Sequence, residues 1–184
     1  GWDFATLNTI LCVEDHVRTG REAEAILSFR DLSIFMMKPE TEVIIGTPPG
    51  PESKLSIVSG NLWGNIKKMA KDGTMEITMN QAVTSIKGTT FVCETTDKIS
   101  TLKVIEGRAE FRDKLGKTVM VNGGEKVSAT RSGMGAKEKF DVALEKRQWE
   151  KLAKTTDPAT EGQPTVPGLL VLEDDTGPYQ WIDA

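Results

Sequence analysis

The sequence predicts a mainly β protein: a short-strand β-sandwich or β-solenoid-like roll with one C-terminal helix and a flexible tail. Three observations carry this expectation. The first is the run V-T-S-I-K-G-T-T-F-V-C-E at residues 83–94, which is dense in β-branched and aromatic residues, lacks proline and is broken once, at Gly88. Such composition fits a pleated, half-buried surface. Thr84 and Ile86 share one face before the glycine, and Thr89, Phe91 and Cys93 take the opposite parity beyond it. Keeping both sets on one core needs a bulge or a tight corner, where a residue without a Cβ is at an advantage. The second observation is that the device recurs. Leu55-x-Ile57-x-x-Gly60-x-Leu62 and Leu102-x-Val104-x-x-Gly107-x-Ala109-x-Phe111 change parity in the same way, and Val119-x-Val121-x-x-Gly124-x-x-Val127 is a looser copy. Their spacing is not uniform, so a strict solenoid array does not follow. Each unit is either a hairpin with a bulge glycine or a strand turning a corner between two sheets. The third observation is a change of texture after Gly135. Residues 136–154 hold no proline or glycine and are rich in Lys, Glu, Ala and Leu, which predicts a single helix.

Taken in order, residues 10–13 read as a short strand and Thr19-Gly20 as a turn. Ala23, Ala25, Leu27 and Phe29 alternate with polar residues, and only Ile26 is off pattern. This predicts a strand, although helix propensity over residues 22–27 competes. Residues 34–37 and 42–45 predict two more strands, separated by Lys38-Pro39. The proline-rich residues 46–51 cannot join a ladder. Lys71-Asp-Gly-Thr74 is a turn signal between strands. In the helix, Phe140, Leu144, Gln148 and Leu152 fall to one side, and Phe140, Leu144, Trp149 or Leu152 are the expected contacts to the β-domain. Glu138 near the start and Lys151 and Lys154 near the end suit the helix dipole. Three regions are expected: a β-domain over 1–133, the helix packed on it over 134–156, and a Pro/Gly-rich linker with an acidic tail over 157–184. Residues 169–172 have strand character, and the aromatic end around Tyr179 and Trp181 reads as an added edge strand, a partner-binding peptide or a frayed end.

Composition excludes several functions. A net charge of −4 without a basic stripe argues against nucleic acid. No apolar run is long enough to span a bilayer. With Cys12, Cys93 and a single histidine, His16, no zinc or redox spacing is present. The cysteines read as two buried thiols, with a disulfide as the alternative. Glu14-Asp15 and Asp174-Asp175 are adjacent carboxylates of the turn-capping or solvated kind. Nothing flanking either cysteine would generate a thiolate, and the signatures of phosphate-binding loops, hydrolase elbows and zinc proteases are missing. The expectation is a chain with no catalytic, metal or cofactor residues, whose specificity resides in loops, first of all residues 14–20 and 47–53.

The ordered motifs resemble the FecR-like domain, the extracytoplasmic part of iron-dicitrate-type sensor and anti-sigma regulators, over about residues 2–130. The resemblance rests on Leu11-x3-Asp15-x-Val17-x-Thr19-Gly20, Ala25-x-Leu27-x-Phe29-x-Asp31-x-Ser33 and Ser59-Gly60-x-Leu62-Trp63. It continues through Gly88-Thr89-x-Phe91-x-Cys93, Val104-x-Glu106-Gly107 and Gly124-Glu125-x-Val127. One departure is Leu32, which stands where the family has a glycine after the aspartate. The resemblance implies a structural role for Asp15, Thr19, Gly20, Asp31, Ser33, Gly60, Gly88, Thr89, Phe91, Gly107 and Gly124. It implies a non-enzymatic sensor or protein-interaction module outside the cytoplasm, membrane-anchored or exported in the full-length protein, with a protein partner at the membrane or envelope and no cofactor. A structural or polysaccharide-binding envelope module is the other reading, with Trp63 expected to serve packing rather than sugar stacking.

Overall fold

The computed structural model describes residue 2 and residues 10–28, 34–46, 52–66, 73–153, 169–174 and 179–182. The early strands are β1 (Ile10–Leu11), β2 (His16–Arg18), β3 (Glu24–Ser28), β4 (Ile34–Met37) and β5 (Glu42–Ile45). The central ones are β6 (Glu52–Asn65), β7 (Thr74–Thr78), β8 (Ala82–Ile86), β9 (Thr90–Thr95) and β10 (Ile99–Glu106). Then come β11 (Arg108–Asp113), β12 (Thr118–Asn122), β13 (Glu125–Thr130), β14 (Gly133–Met134) and β15 (Glu138–Lys139). Helix α1 (Val142–Ala153) follows, and then β16 (Leu169–Asp174) and β17 (Tyr179–Ile182).

The hydrogen bonding forms one curled sheet of two layers. In the first, β4 lies between β3 and the second half of β6, followed by β9, β10 and β13. In the second, β5 lies between β2 and the first half of β6, followed by β7, β8, β11 and β12. Strand β6 belongs to both layers and turns at Gly60 (φ 97°). The run over residues 83–94 is therefore a corner and not a hairpin: β8 pairs in the second layer, β9 in the first, and Gly88 (φ 61°) joins them. The passage from β10 to β11 at Gly107 (φ 89°) does the same in reverse.

The parity changes now have their cause. Leu55 and Ile57 point between the layers before the first corner, and Leu62 does so after it. Ile86 and Phe91, then Val104 with Ala109 and Phe111, repeat this around the other two. All are buried in one apolar core, with Phe35 and Phe91 meeting edge-on at 6.4 Å between ring centroids. A corner without a parity change would turn one strand inside out.

A second, smaller cluster lies on the outer face of the first layer: Ile26, Met36, Val92, Ile105 and Trp149 of α1, with Trp63 packed against it. Ile26, off pattern in the sequence, faces this cluster while Ala25 and Leu27 fill the main core. Trp63 serves packing, as expected.

Several expectations are corrected. The helix starts at Val142, because residues 138 and 139 pair with Lys126 and Glu125 of β13. Asp141 supplies the start signal, its Oδ1 accepting from the Leu144 N–H at 2.9 Å. Of the expected contacts, Phe140 and Trp149 do pack on the β-domain, joined by Val142 and Glu145, while Leu144 is exposed. Glu138, expected inside the helix, instead pairs with Lys126 at 3.2 Å. Residues 169–172, read as strand-like, do lie in a strand, β16, parallel to β3, and of the readings open for the aromatic end the added strand is the one found, β17 pairing with β16 and β1. The linker over 155–168 lies outside the described residues, as do 47–51 of the proline-rich loop and the first two residues of the 71–74 turn. Both cysteines are free, and Cys12 is exposed in a turn rather than buried.

Candidate functional site

The described motif residues converge on two places. At the first, Thr19 is buried just after β2. Its hydroxyl donates to the Lys38 carbonyl at 2.7 Å and accepts from the Thr41 N–H at 2.9 Å. Thr41 in turn accepts from the Asn61 N–H at 3.0 Å, one residue beyond the Gly60 corner. A Cβ on Gly60 would collide with Thr41, so glycine is needed there for space as well as for φ. Two threonine hydroxyls thus fasten the β2 end to the bend of β6. Gly20 differs: a Cβ would meet nothing within 4 Å, and its carbonyl accepts from Ala23 and Glu40. Asp15 shapes the preceding turn, its carboxylate accepting from the Cys12 N–H at 2.6 Å while Glu14 adopts φ 75°.

An electrostatic cluster borders this clasp. Glu42 is 8% exposed and shared. Its Oε1 lies 2.8 Å from His16 Nδ1, and its Oε2 accepts from Arg18 Nε at 2.9 Å and Nη2 at 2.5 Å. Burial pushes the Glu42 carboxyl up, but the bonds from His16 and Arg18 outweigh this and hold it below the usual range. Arg18 sits 4.2 Å over the exposed Trp2 ring, and His16 meets that ring edge-on. Beside them is a cleft of about 300 Å³ lined by Arg18, Thr19, Arg21, Glu40 and Ser59.

The second place is the pair of corners at Gly88 and Gly107. The Thr89 hydroxyl donates to the Arg108 carbonyl at 2.8 Å, tying one corner to the other. A Cβ on Gly107 would lie 2.9 Å from the Gly88 carbonyl. Phe91 is fully buried just beyond. Gly124 (φ 82°) donates to the Val104 carbonyl at 2.8 Å in the β12–β13 turn. Outside the corners lies a groove of about 830 Å³ bordered by Ser85, Thr90, Glu106, Arg108, Glu110 and Met120. Asp31 and Ser33 lie outside the described residues.

Of the two loops expected to carry specificity, residues 14–20 prove to be half strand, since His16–Arg18 is β2. Ser53, at the end of the other, is buried in β6. The His16–Glu42–Arg18 cluster was not anticipated, because Glu42 is more than twenty residues from both partners. Among the described residues no three His, Cys, Asp or Glu side chains come together as a metal site. Burial pushes the Cys93 thiol far above its ordinary range, with the Glu94 charge adding to this. No described helix is long and apolar enough to cross a membrane.

Glycine corners that carry one chain back and forth between two layers, fastened by buried threonines, define a class of β-roll. The family model described as FecR protein matches residues 15–110, more than half of the chain, and the chain belongs to that family. The match is narrower than the 2–130 span expected from the motifs. No curated protein matches the sequence. A solved structure of a candidate anti-sigma factor from Parabacteroides distasonis ATCC 8503 is similar at 14% identity and a TM-score of 0.61, covering 77% of this chain and 65% of that one. A second structure with the same description and organism is 15% identical with a TM-score of 0.62, covering 74% and 64%. At this identity the likeness is one of fold, and the chain spans just under two thirds of either structure.

Proposed function

We propose that this chain is a non-enzymatic protein-interaction module of a FecR-type signalling protein, working outside the cytoplasm. The observation that carries the reading is the use made of the family residues. Thr19, Gly60, Gly88, Thr89 and Gly107 are committed to backbone corners and hydrogen bonds within the frame, and Phe91 to the core. None presents a nucleophile or base to solvent. Family membership and a fold shared with candidate anti-sigma factors support a regulatory role. On this reading Asp15, Gly20 and Gly124 are also structural, and residues 1–133 are the interaction domain, followed by the helix-bearing segment 134–156 and a tail over 157–184.

The test uses the full-length protein in its own cell. Alkaline phosphatase, which is active only outside the cytoplasm, is fused after residue 184, and transcription is compared with and without residues 15–130. An active fusion and a changed set of transcripts are expected. An inactive fusion rejects the location, and an unchanged transcriptome rejects the regulatory role.

A further inference from the structure

Helix α1 covers a row of side chains that crosses the outer face of the first layer. Cross-strand register aligns Ile26, Met36, Trp63, Val92 and Lys103, one from each of five adjacent strands. The apolar part of this row needs a cover. Lys103 closes one end, and Lys38 stands at the side with its Nζ 4.8 Å from the Trp149 ring centroid.

The grip of α1 on this seat is narrow. Trp149 is its one large buried side chain among the described residues, and Glu145 is its one buried charge. Glu145 accepts from Lys103 at 3.0 Å and from the Trp149 indole at 3.2 Å, and Lys38 donates to the Gln148 carbonyl at 3.0 Å. Among the described residues the main core contains no α1 side chain, so the helix can leave without opening it. Nor would its departure orphan a charge on the sheet: Lys103 keeps Glu94 at 2.6 Å, and Lys38 keeps Glu24 at 3.2 Å. Among the described residues, the apolar row would be uncovered, flanked by two lysines.

We propose that α1 is a detachable strap over a helix-docking groove, and that a partner enters the groove with an amphipathic helix bearing an acidic residue one turn ahead of an aromatic. This deepens the protein-interaction reading above and rests on it for the existence of a partner. The partner's chemistry is set by the seat: an aromatic ring for the Ile26–Met36–Val92 row beneath Lys38, and a carboxylate for Lys103. α1 meets both needs with Glu145 and Trp149, so it occupies the groove until a competitor displaces it.

The probe is a fluorescent, end-capped peptide of residues 139–154, titrated against the full chain. Trp149→Ala should bind it at least tenfold more tightly than wild type, whose own strap competes at high local concentration. Adding Lys103→Glu should weaken that binding at least tenfold, and a peptide carrying Glu145→Lys should restore it. In wild type, amides 146–153 should exchange at least tenfold faster than those of Phe91 and Leu102. Glu145→Arg serves as a second strap-release variant if Trp149→Ala fails to fold. The proposal is overturned if a folded release variant does not bind the peptide, if Lys103→Glu leaves binding unchanged, or if α1 exchanges only with global unfolding. Peptide exchange in a protein whose phosphatase fusion is inactive would keep the strap and reject the location alone.

Discussion

Three glycine-to-alanine changes separate the cost of backbone conformation from the cost of contact. Gly107 and Gly116 have nearly equal torsions, φ 89° and 87°, but a Cβ on Gly107 meets the Gly88 carbonyl at 2.9 Å and Thr89 Oγ1 at 3.1 Å. A Cβ on Gly116 meets nothing within 4 Å. Gly116→Ala should therefore cost only the left-handed backbone penalty, about 1–2 kcal/mol. Gly107→Ala adds overpacking against a main-chain carbonyl, about 1–3 kcal/mol. It also disturbs the Thr89–Arg108 hydrogen bond, worth about 0.5–1.5 kcal/mol. A total of about 2.5–6.5 kcal/mol follows, a large share of the roughly 5–15 kcal/mol that a domain holds. Gly20→Ala, with open space and no left-handed torsion, should be neutral or stabilise by up to about 1 kcal/mol through the unfolded chain. Urea unfolding followed by tryptophan fluorescence measures all three. With a slope of about 1–3 kcal/mol per molar urea, Gly107→Ala should lower the midpoint by at least about 1 M. Equal midpoints for Gly107→Ala and Gly116→Ala would refute the contact between the two corners. A Gly20→Ala protein as damaged as Gly107→Ala would refute the corner assignment itself.

Phe91→Ala should cost about 3–5 kcal/mol, whereas the exposed Leu144→Ala should be close to neutral in the same urea assay. Asp141→Ala removes the cap of α1 and should cost about 1 kcal/mol, read as faster amide exchange over the first turn of the helix. The Glu125 carboxyl should titrate near 2 by carbon-13 NMR, held down by the Asn122 N–H and by Lys137. Its folded value is depressed, so its contribution is complete above the ordinary 4.5 and is lost as pH falls from there towards about 2. An ordinary Glu125 titration near 4.5 would remove that contact from solution. A thiol reagent should label Cys12 alone in the native protein and both cysteines in denaturant; two fast thiols before unfolding would contradict the burial of Cys93.

Much of the frame was legible because strand parity is a local property. Leu55, Ile57 and Leu62, or Ile86 and Phe91, announce a corner within a dozen residues, and the glycine between them marks its place. What stayed open was the choice between hairpin and corner. That depends on partners such as β11 for β8 and β6 for β9, which local sequence does not name. The clasp at the candidate site was hidden for the same reason. Thr19 and Thr41 are both ordinary turn-flanking residues until β2 and β5 come side by side. Glu42 looked like the polar start of an apolar strand, and only the fold makes it the shared acceptor for His16 and Arg18.

The helix shows how a correct type can conceal a wrong phase. Helix propensity runs unbroken from Ala136, yet residues 138 and 139 are taken by the free side of β13, and tertiary pairing outweighs a preference of a few tenths of a kcal/mol per residue. Asp141, three residues before Leu144, was the overlooked boundary signal. The phase goes wrong at Leu144, which hydrophobicity alone favours and which is exposed, whereas the expected Phe140 and Trp149 do pack on the sheet. The face that docks instead includes Glu145, which looks solvent-facing in sequence and is 7% exposed in the fold. A carboxylate can be buried there only because Lys103, forty-two residues earlier, arrives opposite it. The helix face is therefore decided by a charge on the sheet. The same dependence makes Lys103 and Glu145 the pair to exchange when testing whether the helix can be replaced by another.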